Sequence, residues 1–243
     1  MGDLMTRATL TPQGPPPVTV EPPARTPWWR RPWIVPLWAL CGAFLLWRTP
    51  ACLGFTPEAS LVVLRSHTHY LLLSAHVVMG TVTMVCCCLQ VWPWLRTTRP
   101  AVHRLTGRIY VIVVVPAALL ALVSSVLQDV PVPGRIGNAT LAVLWLVTTL
   151  AGYRAARRRR FAEHRRWMLR SFALCFSIVV NRLWTGVLVA ALQPALEGYY
   201  GGDAQALFVD AGVAGIWISW VVNLLVVEWW IERGSRVRRA VAR

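Results

Sequence analysis

Two groups of side chains in this sequence have the types and spacing to do chemistry. The first is His76, Asn181, Arg182 and Asn223, polar residues set inside long apolar runs. An ionisable side chain at the centre of a bilayer costs at least about 2.5–3.5 kcal/mol, so it turns toward the bundle interior or water and takes a partner. In this setting His76 suits a general acid or base and Arg182 suits an anion holder. No Asp or Glu shares the depth of Arg182, because Glu228 and Asp210 fall toward opposite ends of their run. The expected partners of Arg182 are therefore Asn223, backbone carbonyls, His76 or a bound anion. The competing expectation is plain polar bonding between helices, about 1 kcal/mol per bond.

The second group is His103-Arg104-x-x-Gly107-Arg108 together with His164-Arg165-Arg166-Trp167-Met168-x-Arg170. Each histidine stands where an apolar helix begins. Helix N-termini carry free N–H groups and a positive dipole, so Arg104, Arg108, Arg165 and Arg170 form a face suited to an anionic headgroup or a haem propionate. His103 and His164 fall at matched depth on different helices, which makes them the candidate cofactor pair for haem b or a divalent metal. His69 and His76 do not qualify, because seven residues along one helix separate them by about 10.5 Å. Cytosolic positive charge with no ligand would account for the arginines but not for the histidines.

The elements that position these residues follow from composition. The 243-residue chain is 56% hydrophobic and 14% charged, with a mean hydropathy of +0.51. Soluble domains carry about a quarter charged residues. The fold class expected is all-α, a polytopic membrane helical bundle of about six transmembrane helices. The spans fall near residues 33–47, 69–92, 109–128, 137–153, 171–193 and 211–231. A Pro-rich tail at 1–27 precedes a transmembrane domain at 28–232, and a basic tail follows at 233–243. Trp28-Trp29-Arg30-Arg31-Pro32-Trp33 has the aromatic and basic character of a membrane interface.

Arginine placement orients the bundle. All 25 basic residues are Arg; 21 fall in the two tails and in alternate loops, and three on the other side. The positive-inside rule then puts both termini in the cytosol. The net charge of +15 is explained by topology, so nucleic acid is not an expected partner; the lipid bilayer and anionic headgroups are. His103-Arg104 and His164-Arg165, each ahead of an outward-running span, also suggest a parallel repeat of hairpins. The six cysteines, Cys41, Cys52, Cys86, Cys87, Cys88 and Cys175, include no CxxC pair and mostly lie in apolar runs, so they read as small apolar side chains.

The two histidine runs, with Ile109-Tyr110, Ser171-Phe172-Ala173-Leu174 and Arg182, resemble the bacterial domain-of-unknown-function 2306 membrane proteins over residues 67–190. The resemblance also takes in His76, Gly80 and Gln90. It implies a polytopic protein of a bacterial inner membrane with recurrent histidines and assigns no role to them. From the residues themselves, three function classes stand: a haem- or metal-binding redox protein using His103 and His164, an intramembrane enzyme acting on a lipid or isoprenoid, and a transporter or accessory membrane protein. The enzyme reading lacks an Asp-rich diphosphate motif. The transporter reading lacks paired helix breaks, with Pro116 the one kink signal.

Overall fold

An apolar run that enters lipid must satisfy every backbone N–H and C=O within itself, and a helix does so. The computed structural model describes the backbone of residues 33–53 and 67–241, with side chains for 33–50 and 67–234. Seven α-helices occur among these residues: α1 (Ile34–Leu53), α2 (His67–Val91), α3 (Pro93–Thr98), α4 (Pro100–Leu127), α5 (Val132–Arg157), α6 (Phe161–Leu192), which runs into a short 3-10 turn over Gln193–Ala195, and α7 (Ala204–Val241). No strand is found among the described residues. Five helices, α2 and α4 to α7, are long and apolar enough to cross a bilayer, and α1 is a shorter apolar helix over Ile34–Pro50. The fold is thus the polytopic helical bundle that the hydropathy pattern predicts. The Pro-rich tail, Trp28 to Pro32, Arg65, and the side chains of Cys52 and of the arginines after Arg233 lie outside the described residues.

Two helices begin well before their apolar runs. α4 starts at Pro100 rather than near 109, and α6 at Phe161 rather than near 171. Hydropathy registers only the lipid-buried part of a helix, whereas Arg and Ala are strong helix formers that carry it on into the headgroup zone. His103 and His164 therefore lie inside their helices, each as the fourth residue. Their N–H groups bond Arg99 O at 3.1 Å and Arg160 O at 2.9 Å. Pro93 and Pro100 open α3 and α4, positions where the missing N–H costs nothing.

Sequence neighbours pack as antiparallel pairs: α2 on α4, α4 on α5, α5 on α6 and α6 on α7, with α1 against α2. The shared core includes Cys41, Met84, Tyr110, Val114, Trp145, Leu174, Val179 and Trp220. α5 and α7 approach closely at Gly137, where an added Cβ would stand 2.9 Å from Ile216 Cγ2 and 3.1 Å from Trp217 Nε1. Trp217 Nε1 donates to Pro133 O at 3.0 Å beside that contact. Outside the core, Ile112, Leu119, Val123, Leu225 and Val226 are exposed, the apolar girdle a bilayer requires.

The α5–α6 turn closes with Arg159 N–H on Ala156 O and Arg160 N–H on Ala155 O. This bond pair defines a Schellman cap, whose left-handed residue is usually Gly. Here it is Arg159, at φ 56°. At the other end, Asp203 caps α7 through Oδ1, which accepts from Gln205 N and Ala206 N at 2.9 and 3.0 Å.

Candidate functional site

The α2 residues His69, Leu73, His76, Gly80, Thr83 and Met84 recur at helical spacing and form one wall of a cavity of about 270 Å³. A single water needs only about 10–15 Å³ by the same measure. Arg48 and Thr49 of α1, Ser124, Ser125 and Gln128 of α4, Asn138 and Trp145 of α5, and Cys175, Ile178 and Arg182 of α6 complete it. The cavity occupies the arginine-poor half of the bundle, polar toward Gln128 and Asn138 and apolar toward Met84 and Leu174.

His76 Nδ1 lies 2.8 Å from Ala117 O. A carbonyl only accepts, so Nδ1 carries a proton and Nε2 is the nitrogen left for a ligand. Arg182 makes no ion pair among the described residues, and the charge within range of it is the like charge of Arg48. Arg48 stacks over the Trp47 ring, 5.4 Å from its centroid. Ser124 is 7% exposed, and its Oγ, buried at the cavity wall, has no hydrogen-bond partner. Thr49 and Thr81 share a 3.1 Å hydroxyl bond, and Asn138 Nδ2 donates to Gln128 Oε1 at 3.1 Å.

Of the four residues expected in the deep layer, the structure brings only His76 and Arg182 into this cavity. Asn181 turns to the α6–α7 side, accepting from Thr185 Oγ1 at 3.2 Å, beside Gly215 of α7. Asn223 Nδ2 donates to Ala173 O at 3.1 Å. Both asparagines bond within or between helices, and Asn223 is not the partner of Arg182. The depths agree, but adjacent helical residues point about 100° apart, so 181 and 182 cannot face one ligand.

At the arginine-rich end, Gln90 Nε2 donates to His103 O at 2.7 Å and to Thr106 Oγ1 at 2.6 Å. Gly107 leaves room for it, since a Cβ there would be 3.4 Å from Gln90 Oε1. His164 Nδ1 donates to Gly152 O at 2.9 Å. Gly152 admits this contact, for a Cβ would stand 2.6 Å from Met168 Sδ. His103 lies within electrostatic range of His164, and its Nδ1 is buried with no hydrogen-bond partner. Arg104 and Arg108 are exposed, as headgroup contact requires. Arg170 instead forms a two-point pair with Glu228, Nη2 to Oε2 at 2.8 Å, and lies 4.8 Å over the Trp167 ring. Arg165 lies 5.0 Å over Trp230. These two arginines fasten α6 to α7 rather than standing free for an anion.

Sequence reasoning missed a buried circuit between the two ends. Trp145 Nε1 donates to Tyr110 OH at 2.9 Å, Tyr110 OH and Ser171 Oγ are 2.7 Å apart, Ser171 and Thr149 are 2.7 Å apart, and Thr149 Oγ1 donates to Trp145 O at 2.7 Å. The indole can only donate and the carbonyl can only accept. The direction of every bond is therefore fixed: Trp145 to Tyr110, to Ser171, to Thr149, and back to the carbonyl of Trp145. The signal was Tyr110 at the end of the first histidine run and Ser171 at the end of the second.

Cys87 sits against Cys175, and Cys88 against Cys41. No three His, Cys, Asp or Glu side chains converge in a metal-binding group among the described residues.

A bundle of lipid-length helices with an intramembrane cavity is a multi-pass membrane protein. A family model described as a predicted membrane protein (DUF2306) matches residues 73–231, and the chain belongs to that family. The match reaches past the run of residues that suggested it, taking in most of α7. No curated protein and no solved structure matches the chain.

Proposed function

We propose that this chain is a bacterial inner-membrane protein that binds an anionic, lipid-like ligand in the α1–α2–α4–α5–α6 cavity. The observation that carries this reading is the meeting of two guanidiniums, Arg48 and Arg182, with no acidic partner among the described residues and with the orphaned Ser124 hydroxyl. Positive charge without a counter-charge in a low-dielectric site favours an anion strongly. The apolar wall at Leu174, Ile178, Leu73 and Val77 suits an acyl or isoprenoid chain. His76 Nε2 then faces the ligand as a donor, an acceptor, or an acid or base. Native mass spectrometry of the purified protein tests this. Wild type should carry an anionic lipid, and Arg182→Gln should lose it by about 10- to 100-fold, the worth of a charged hydrogen bond. Equal retention by the variant would sink the reading.

A second reading has one observation in its favour. The Nδ1 bond from His164 to Gly152 O fixes the tautomer that presents Nε2, as metal-bound histidines do. His103 and His164 would hold a haem b or a divalent metal between α4 and α6 at the arginine-rich end. A reduced-minus-oxidised spectrum with metal analysis tests it: a Soret band lost in both His103→Ala and His164→Ala but kept in His76→Ala supports it, and a colourless, metal-free protein removes it.

A further inference from the structure

We propose that the ligand reaches the cavity sideways from the bilayer, through the seam between α1 and α6, and is therefore a membrane lipid with an anionic headgroup rather than a water-borne anion. This rests on the cavity reading above and adds the source and route of the occupant.

On α6, Ile178 and Arg182 line the cavity and are exposed, and Leu183, next to Arg182, is exposed without being part of the lining. A cavity wall that runs on into exposed outer surface marks an opening. These two lie well inside the apolar span Phe161–Ala195 and not at its ends, so the opening faces hydrocarbon. On the other edge, Leu45 and Arg48 of α1 line the cavity, while Leu46 and Trp47 between them are exposed.

Among the described residues the seam is lightly closed. Beside the cavity, α1 is tied to α2 by the Thr49–Thr81 hydroxyl bond. Pro50 lies inside α1 one residue further on, and its missing N–H removes the bond to the Leu46 carbonyl, loosening that end of the helix. Arg48 and Arg182 stand on the two helices that border the seam. A headgroup crossing it exchanges the leaflet surface for two guanidiniums, while its chain stays in apolar surroundings throughout. A free phosphate would meet the same guanidiniums but has no chain to fill the apolar wall at Leu73, Val77 and Leu174.

The full-length protein in nanodiscs, stripped of lipid and then offered phosphatidylglycerol or phosphatidylcholine, provides the test, with bound lipid counted by native mass spectrometry. The variant Leu45→Cys/Ile178→Cys is compared before and after a bifunctional thiol linker. Linker-treated wild type reports on the native cysteines. The expected result is preference for phosphatidylglycerol, indifference to millimolar inorganic phosphate, and uptake and release that both stop once the linker is in place. Exchange in the linked protein as fast as in the unlinked one would overturn the sideways route, while loss of lipid in Arg182→Gln would leave the cavity reading standing. Displacement of phosphatidylglycerol by inorganic phosphate would overturn the lipid source. Full retention by Arg182→Gln would overturn the cavity reading itself.

Discussion

Tyr110, Trp145, Thr149 and Ser171 show what a single hydroxyl does where water is absent. Each hydroxyl in their circuit donates once and accepts once, so removing one leaves its neighbours buried and unsatisfied. Tyr110→Phe strips the Trp145 N–H of its acceptor and should cost about 1–3 kcal/mol, read as a lower thermal midpoint in detergent. Adding Ser171→Ala should cost less than its own separate effect, because the two share one network; strict additivity would show that the circuit does not act as a unit. At this scale the sequence was only partly legible. His76 and Arg182 stood out as ionisable groups in apolar runs. Ser124 and Thr149 did not, because hydroxyls in membrane helices routinely bond their own backbone and give no sign of facing a cavity or a neighbour.

At the scale of elements, hydropathy located all six apolar helices but not where α4 and α6 begin. The arginine-rich stretches taken for loops are largely helix, since arginine forms helix readily and the apolar signal stops at the headgroups. Depth along a helix could be counted from sequence, whereas rotation about its axis could not. That is why Asn181 and Asn223 shared a layer with Arg182 on paper and part from it in space. The turn between α5 and α6 offers a clean test of local strain. A non-glycine residue in the left-handed region costs about 1–2 kcal/mol, so Arg159→Gly, at φ 56°, should raise the thermal midpoint. A lower midpoint would mean that the Arg159 side chain makes a contact worth more than the strain.

For the whole molecule, charge and family agree on a membrane protein, and the side on which each loop lies is a separate question. If the proposed bacterial inner-membrane location and the positive-inside rule both hold, single cysteines placed beside Arg108 and Arg160, in a background without the native thiols, should react with impermeant maleimide only after that membrane is opened. A cysteine beside Arg135 should react from the periplasm of intact cells. The reverse labelling would invert the bundle and move the cavity to the cytosolic leaflet, without altering its lining.

Arg182 has a consequence that extends beyond the protein's own surface. On the sideways-entry reading, a guanidinium at mid-depth on a lipid-facing flank would draw water and headgroups down toward it and thin the bilayer on that side. The bundle would then sit in the membrane with a lopsided collar: full thickness against α7 and the far face of α4, and a dimple beside α1 and α6. Such a dimple would gather short-chain and anionic lipids from its surroundings before any of them binds.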